Sequence, residues 1–201
     1  MQNKSYEGKT KEEAILKAIE DLGITREELI ICSEEEKSSL LKKNYKIEVI
    51  SYNELIEYIK ETLKEIVNLM NINANLEIRR RENTISIKLF SDNNAILIGK
   101  NGRTIAALQI IIRSIVQNIT KERINILLDV ENYKEKRNKN LEYLAKKIAR
   151  EVSNTKVEAK LDPMNSYERR IVHEALSNNK FVYTESIGEE PNRSIVIKPK
   201  N

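Results

Sequence analysis

Ile98-Gly99-Lys100-Asn101-Gly102-Arg103 is the stretch on which the reading of this chain turns. Upstream, Thr84-Ile85-Ser86-Ile87-Lys88-Leu89 alternates apolar and polar residues, the period of a strand with one buried face. Asn93 to Ile98 is helix-like. Beyond the glycines, Ile105, Leu108, Ile111, Ile112, Ile115, Val116 and Ile119 recur at helical spacing. The glycine pair therefore joins two helices through a tight turn, and neither glycine carries a Cβ that would hold another backbone away. The turn delivers backbone N–H groups to a helix N-terminus, which favours anions, and Lys100 and Arg103 add positive charge. A bare G-x-x-G is most often only a helix–helix turn. What surrounds it shifts the balance.

Asn53 to Met70 carries Ile56, Ile59, Leu63, Ile66, Val67 and Met70 as one helical stripe. Leu76 and Ile78 alternate as a strand, and Arg81-Glu82-Asn83 can turn it back into the Thr84 strand. Ile124, Ile126, Leu128 and Val130 alternate as a third strand after the long helix. The order helix, strand, strand, helix, G-x-x-G, helix, strand resembles a KH domain of the second topological type, over residues 53–131. The resemblance implies a loop that clamps about four nucleotides of single strand. It also implies a groove whose aliphatics, here Ile98, Ile105 and Ile87, receive bases.

The chain has 201 residues, 40% hydrophobic and 33% charged, with a formal net charge of +4. That suits small globular units with much surface and is too apolar for a disordered chain. The charge is unevenly spread: residues 1–52 carry net −2, residues 53–135 net +1 and residues 136–201 net +5. The positive field is therefore concentrated in the last third. Cys32 is the only cysteine, so no intramolecular disulfide forms, and a reducing, cytoplasmic setting is expected. No apolar run is read as approaching the ~20 residues that span a bilayer, and no signal-peptide core is evident at the N-terminus. One His and one Cys argue against a nitrogen–sulfur metal site, so no metal and no cofactor is expected.

In the last third, Tyr133 to Val152 reads as a strongly basic helix with Leu141, Leu144, Ala145, Ile148 and Val152 inward. Val157, Ala159 and Leu161 alternate as a strand. Asp162-Pro163 is a helix start by residue type, and Met164, Tyr167, Ile171 and Ala175 share one face of the helix that follows. Arg169 and His173, four apart, lie together near the opposite, wet face. Phe181 to Thr184 and Ser194 to Ile197 read as strands around the turn at Gly188-Glu189-Glu190-Pro191. Arg169-x-x-x-His173 followed by Ser186-x-Gly188-x-x-Pro191-x-Arg193 resembles the R-x-x-x-H domain, a single-stranded nucleic-acid-binding module, over residues 136–199. Arg169 can fork onto a phosphate and His173 can hydrogen-bond or stack. The resemblance places Arg193 on the same surface.

The first third has a short strand at Lys4 to Glu7 and a helix from Thr10 to Leu22 stopped by Gly23. A capping-box pattern follows at Thr25-x-x-Glu28, with strands at Leu29 to Cys32 and Tyr45 to Ile50. Cys32 is read as a small core hydrophobe. The whole chain is thus α+β, three small modules in tandem: 1–52, a KH unit with order α-β-β-α-α-β, and an α-β-α-β-β unit. This order resembles the Jag (SpoIIIJ-associated protein) family of bacteria. That family's Lys-Lys-Gly-aromatic-Gly segment is replaced here by Glu34 to Lys43, and Ser51-Tyr52 leads almost directly into the KH helix.

The reading that follows is a single-stranded RNA-binding protein gripping backbone through Gly99, Lys100, Asn101, Gly102 and Arg103 and through Arg169, His173 and Arg193. The resemblance implies links to cell elongation and cell-wall synthesis and a small partner KH protein, in a hetero- or homodimer. The alternative is an adaptor for a membrane insertase or for cell-division proteins, served by the acidic first module. An enzyme is not expected: His173 has no evident carboxylate partner, and Gly102 is not followed by the Lys-Ser/Thr of a P-loop.

Overall fold

The computed structural model describes residues 3–39 and 42–200. They form two compact units, Met1–Glu131 and Asn132–Asn201.

The first unit opens with β1 (Lys4–Gly8), α1 (Lys11–Leu22), β2 (Leu29–Ser39) and β3 (Lys42–Ser51), in an antiparallel sheet of order β1-β3-β2. Thr10 caps α1 by accepting from the Glu13 amide, and Gly23, with φ 62°, ends it. Ala14 and Ala18 are fully buried and let α1 sit close on Leu29, Ile31, Ile47 and Val49. The capping box at Thr25 and Glu28 is present, on a single 3-10 turn. The two long strands run past their apolar cores. Their ladder continues from Glu34 opposite Ile47 to Ser39 opposite Lys42, and it carries Glu34, Glu35 and Glu36 with their side chains exposed. Of the segment 34–43, Leu40 and Leu41 lie outside the described residues. Cys32 is not in the core: it sits half-buried at an irregularity between Ile31 and Ser33. Burial, then the carboxylates of Glu48, Glu122 and Glu54, push its thiol up to about 11.

Ser51 ends β3 and also caps α2 (Tyr52–Leu69) in a reciprocal box with Glu54, so strand passes into helix without a linker. Then come β4 (Ala74–Arg81), β5 (Thr84–Ser91), α3 (Asn94–Ile98), α4 (Arg103–Ile119) and β6 (Asn125–Val130). The sheet order is β4-β5-β6, with β4 antiparallel and β6 parallel to the central β5. Ile85, Ile87 and Leu89 sit beside Ile126, Leu128 and Val130 in register, and all six are buried. From α2 the buried set is Tyr52, Leu55, Ile59, Leu63 and Val67, a stripe rotated from the expected one, with Ile56, Ile66 and Met70 at its margin. From α4 it is Ile105, Leu108, Ile112 and Val116; Ile111 stays exposed.

The expectation that no apolar run approaches membrane-spanning length is corrected here. Asn94–Ile119 is long and apolar enough for that by length and composition. The turn at Gly99–Gly102 divides it into a short helix and α4, whose Leu108, Ile112 and Val116 are in the core.

The second unit comprises α5 (Tyr133–Thr155), β7 (Ala159–Lys160), α6 (Ser166–Leu176), β8 (Val182–Ile187) and β9 (Ser194–Pro199), with an antiparallel sheet of order β7-β9-β8. Leu141, Ala145, Ala149 and Val152 of α5 pack with Val172, Leu176, Val182, Ile195 and Ile197. Leu144 and Val157, expected inward, are exposed, and the strand there shrinks to two residues. The helix expected to begin at Asp162-Pro163 begins at Ser166. Asn165 is its cap: its side chain accepts from the Glu168 amide at 3.0 Å, and Glu168 accepts from the Asn165 amide at 3.3 Å. The Met164 amide donates to the Arg193 carbonyl at 3.1 Å, which ties the segment before α6 to the residue that precedes β9. The inward face of α6 is Glu168, Arg169, Ile171, Val172 and Leu176, while Tyr167 is exposed.

Candidate nucleic-acid interface

The turn between α3 and α4 is built from backbone that side chains resist. Gly99 has φ 70° and ψ 176°, a region open to glycine alone. A Cβ there would lie 2.1 Å from Thr104 Oγ1 and 3.0 Å from the Thr104 amide. Asn101 (φ 54°) and Gly102 (φ 73°) are both left-handed, a conformation asparagine tolerates better than most residues. The Gly99 amide closes α3 on Ala95 O at 2.9 Å, and the Gly102 amide donates to Gly99 O at 3.2 Å. Arg103 then starts α4 with no side-chain cap and no acidic residue in the first turn. The positive end of the helix thus carries no acidic residue of its own, beside the exposed side chains of Lys100 and Arg103. Among the aliphatics expected to receive bases, Ile98 is half-buried, whereas Ile105 and Ile87 are core residues, 3% and 1% exposed. Their expected place at a groove surface is corrected: both side chains are used in packing.

In the second unit, Arg169 and His173 do lie together, but not on a wet face. Arg169 is 7% exposed. Its Nη1 donates to Met164 O at 2.8 Å and to Glu190 Oε1 at 2.7 Å, which ties the β8–β9 turn to the start of α6. The inward face of α6 includes this side. His173 is half-buried between α6 and β8, with Nδ1 2.6 Å from Thr184 Oγ1 and Nε2 3.0 Å from Ser186 Oγ. Burial, then the neighbouring Arg169 charge, lowers its pKa from the ordinary value, so the ring is neutral at pH 7. Arg193 reaches the same place through its backbone, since its carbonyl holds the Met164 amide whose own carbonyl holds Arg169. Its Nε and the Ser194 hydroxyl are buried without a hydrogen-bond partner among the described residues.

Three family models match in tandem: Jag N-terminus over residues 6–50, the KhpA/KhpB KH domain over 56–128 and the R-x-x-x-H domain over 139–199. Over 198 residues the chain is 38% identical to RNA-binding protein KhpB of Clostridium symbiosum, covering 96% of this chain and 89% of that protein. It is 30% identical to RNA-binding protein KhpB of Bacillus subtilis across the full length of both. The chain belongs to the KhpB (Jag) family. A third KhpB relative, from Lactiplantibacillus plantarum, is 35% identical over 71% of this chain and 43% of its own length.

For this KhpB-family chain, sequence patterns point to the arginine and histidine but not to their partners. Glu190 is visible only as a turn residue, and Thr184 and Ser186 only as residues of one parity on a strand. Arg80, stacked 3.5 Å over the Tyr52 ring and donating to the Glu27 carbonyl, has no local signature. The alternation of β4 gives the parity of Arg80 but not what it meets.

Proposed function

We propose that this protein binds single-stranded RNA in the cytoplasm as a non-catalytic post-transcriptional regulator, with the Gly99–Gly102 turn as its principal grip. One observation carries the reading: a glycine-enforced turn opens onto an uncapped, acid-free helix start, flanked by exposed Lys100 and Arg103. Backbone amides and these two cations meet the sugar-phosphate chain, and Ile98 lies beside the bases. In the second unit, Arg193 supplies the charge, His173, whose ring nitrogens are held by Thr184 and Ser186, orders the surface beside it, and Arg169 acts chiefly by holding the turn that carries Arg193. Both grips are on one chain, so the second contact is intramolecular and modest affinities combine. The names of the relatives and the match to the KH and R-x-x-x-H models support this assignment.

The finer reading is a regulator of cell elongation and cell-wall synthesis that pairs with a small KH protein. Ile110 and Ile111, 61% and 44% exposed on α4, support such pairing by offering an apolar face on the KH unit. Fluorescence anisotropy with a short mixed-sequence RNA at two salt concentrations tests the core of the proposal. Lys100→Asp/Asn101→Asp is expected to lose affinity and flatten the salt dependence, because phosphate contacts release counterions. Unchanged binding by a folded double variant would turn attention to the adaptor reading and to protein partners of the acidic first module.

A further inference from the structure

The long helix α5 has a second face that the proposed RNA grips leave unused. Leu141, Ala145, Ala149 and Val152 define its buried side. At helical spacing, Lys136, Lys139, Asn140, Tyr143, Lys147 and Arg150 fall on the opposite side, and each is exposed. Tyr143, 72% exposed, stands in the middle of this strip. Lys139 is paired with Glu135 at 2.6 Å, but Lys136, Lys146, Lys147 and Arg150 make no ion pair among the described residues. Glu142 and Glu151 are on the flanks of the strip rather than along its centre. Lys146 and Arg150 also line a cleft of about 370 Å³ whose other walls include Glu174 and Ser177 to Asn179, at the end of α6.

We infer that this face of α5 is a track for the backbone of a single-stranded nucleic acid, with Tyr143 as a stacking platform for one base. The inference rests on the RNA-binding reading and extends its footprint. From Lys136 to Arg150 the strip runs about 21 Å at 1.5 Å per residue, enough for several phosphates. Cations at successive turns, with an exposed ring between them, combine the two elements by which single strands are held without sequence preference. A protein partner's apolar face finds little here, since Tyr143 is the strip's one large apolar side chain. A polyanion with stackable groups fits best.

The test uses the full chain and two labelled RNAs, one of about four nucleotides, the length a KH loop clamps, and one about five times longer. Lys147→Glu/Arg150→Glu is expected to bind the longer RNA about tenfold more weakly, with a salt slope flatter by about 0.7 for each phosphate no longer neutralised, while the short RNA is unaffected. Tyr143→Ala is expected to weaken the longer RNA several-fold and Tyr143→Phe to restore it. Circular dichroism checks that each variant is folded. If the longer RNA and its slope are unchanged while Lys100→Asp/Asn101→Asp abolishes binding, the RNA reading stands and the α5 track falls. If the wild type binds neither RNA, both fall together. Loss of sedimentation with phosphatidylglycerol vesicles, at unchanged RNA affinity, would overturn the track in favour of a membrane-facing role.

Discussion

Arg169 shows how a residue that looks like a ligand contact by pattern can serve structure first. Its guanidinium is nearly out of water, while Glu190 is 58% exposed, so the carboxylate is the movable half of the pair. Removing the arginine deletes a charge-assisted bond to a carboxylate and one to a carbonyl. Arg169→Ala is therefore expected to cost roughly 2–4 kcal/mol in urea unfolding. Glu190→Ala is expected to cost less, about 1 kcal/mol, because one partner is solvated and the Met164 carbonyl remains. Both should weaken RNA binding by loosening the turn that carries Arg193. A gain of affinity in Glu190→Ala would instead identify Glu190 as a competitor that RNA displaces. His173 makes a separate prediction. Its folded pKa lies below the ordinary 6.5, so below pH 6.5 the unfolded chain takes up the proton more readily than the folded one. Stability attributable to this ring is thus complete above pH 6.5 and is lost as pH falls through the lowered folded value. Urea midpoints of wild type and His173→Gln should draw together as pH is lowered from 7 toward 5; parallel curves would remove the histidine from the account.

At the scale of elements, the G-x-x-G turn is where conformation and chemistry are inseparable. Gly99→Ala places a methyl against Thr104 and keeps a φ of 70° that alanine resists. A stability loss of about 1–3 kcal/mol is expected, with weakened RNA binding even in the folded fraction. Native-state hydrogen exchange of the first turn of α4, read beside anisotropy, checks both. This turn is legible in the sequence because its signals are local: glycines at fixed spacing, an alternating strand before and a 3.6-residue stripe after. The phase of α6 is not. Asp162-Pro163 has the composition of a helix start, as does Asn165 with Glu168 three residues on, and nothing within those residues ranks them. The structure starts the helix at the Asn165 cap, and the segment before it is tied to a residue about thirty positions later, where the Arg193 carbonyl takes the Met164 amide. Separately, the packing of α6 buries Arg169, expected on a wet face, and leaves Tyr167 exposed. The ends of β2 and β3 are hidden from sequence reading for a related reason, since these extensions are held by backbone pairing rather than by an apolar alternation.

At the scale of the molecule, the first 131 residues form one compact unit although they contain two sheets. The stitching is specific. Ser51 both ends β3 and caps α2, the Lys121 amide donates to Ile31 O at 3.1 Å, and Arg80 lies over Tyr52 while holding the Glu27 carbonyl. A cleft of about 480 Å³, lined by Arg26, Tyr52, Arg80 and Glu122 among others, marks the same seam. Cutting the chain after residue 52 would remove the cap and the buried Tyr52 ring, so the contribution of the acidic module is better probed by substitution within the whole protein. Cys32 is a built-in reporter for this seam, because Glu122, beyond α4, and Glu48, on β3, both act on its thiol. With a pKa of about 11, only a small fraction is thiolate at pH 8, and labelling of the folded wild type should be slow relative to the unfolded chain. Arg80→Ala removes the stacked guanidinium and its carbonyl contact, and is expected to raise the Cys32 labelling rate several-fold by making local opening easier. An unchanged rate in that variant would mean that the backbone joint at Ser51 and the Lys121 bond hold the two sheets together without Arg80.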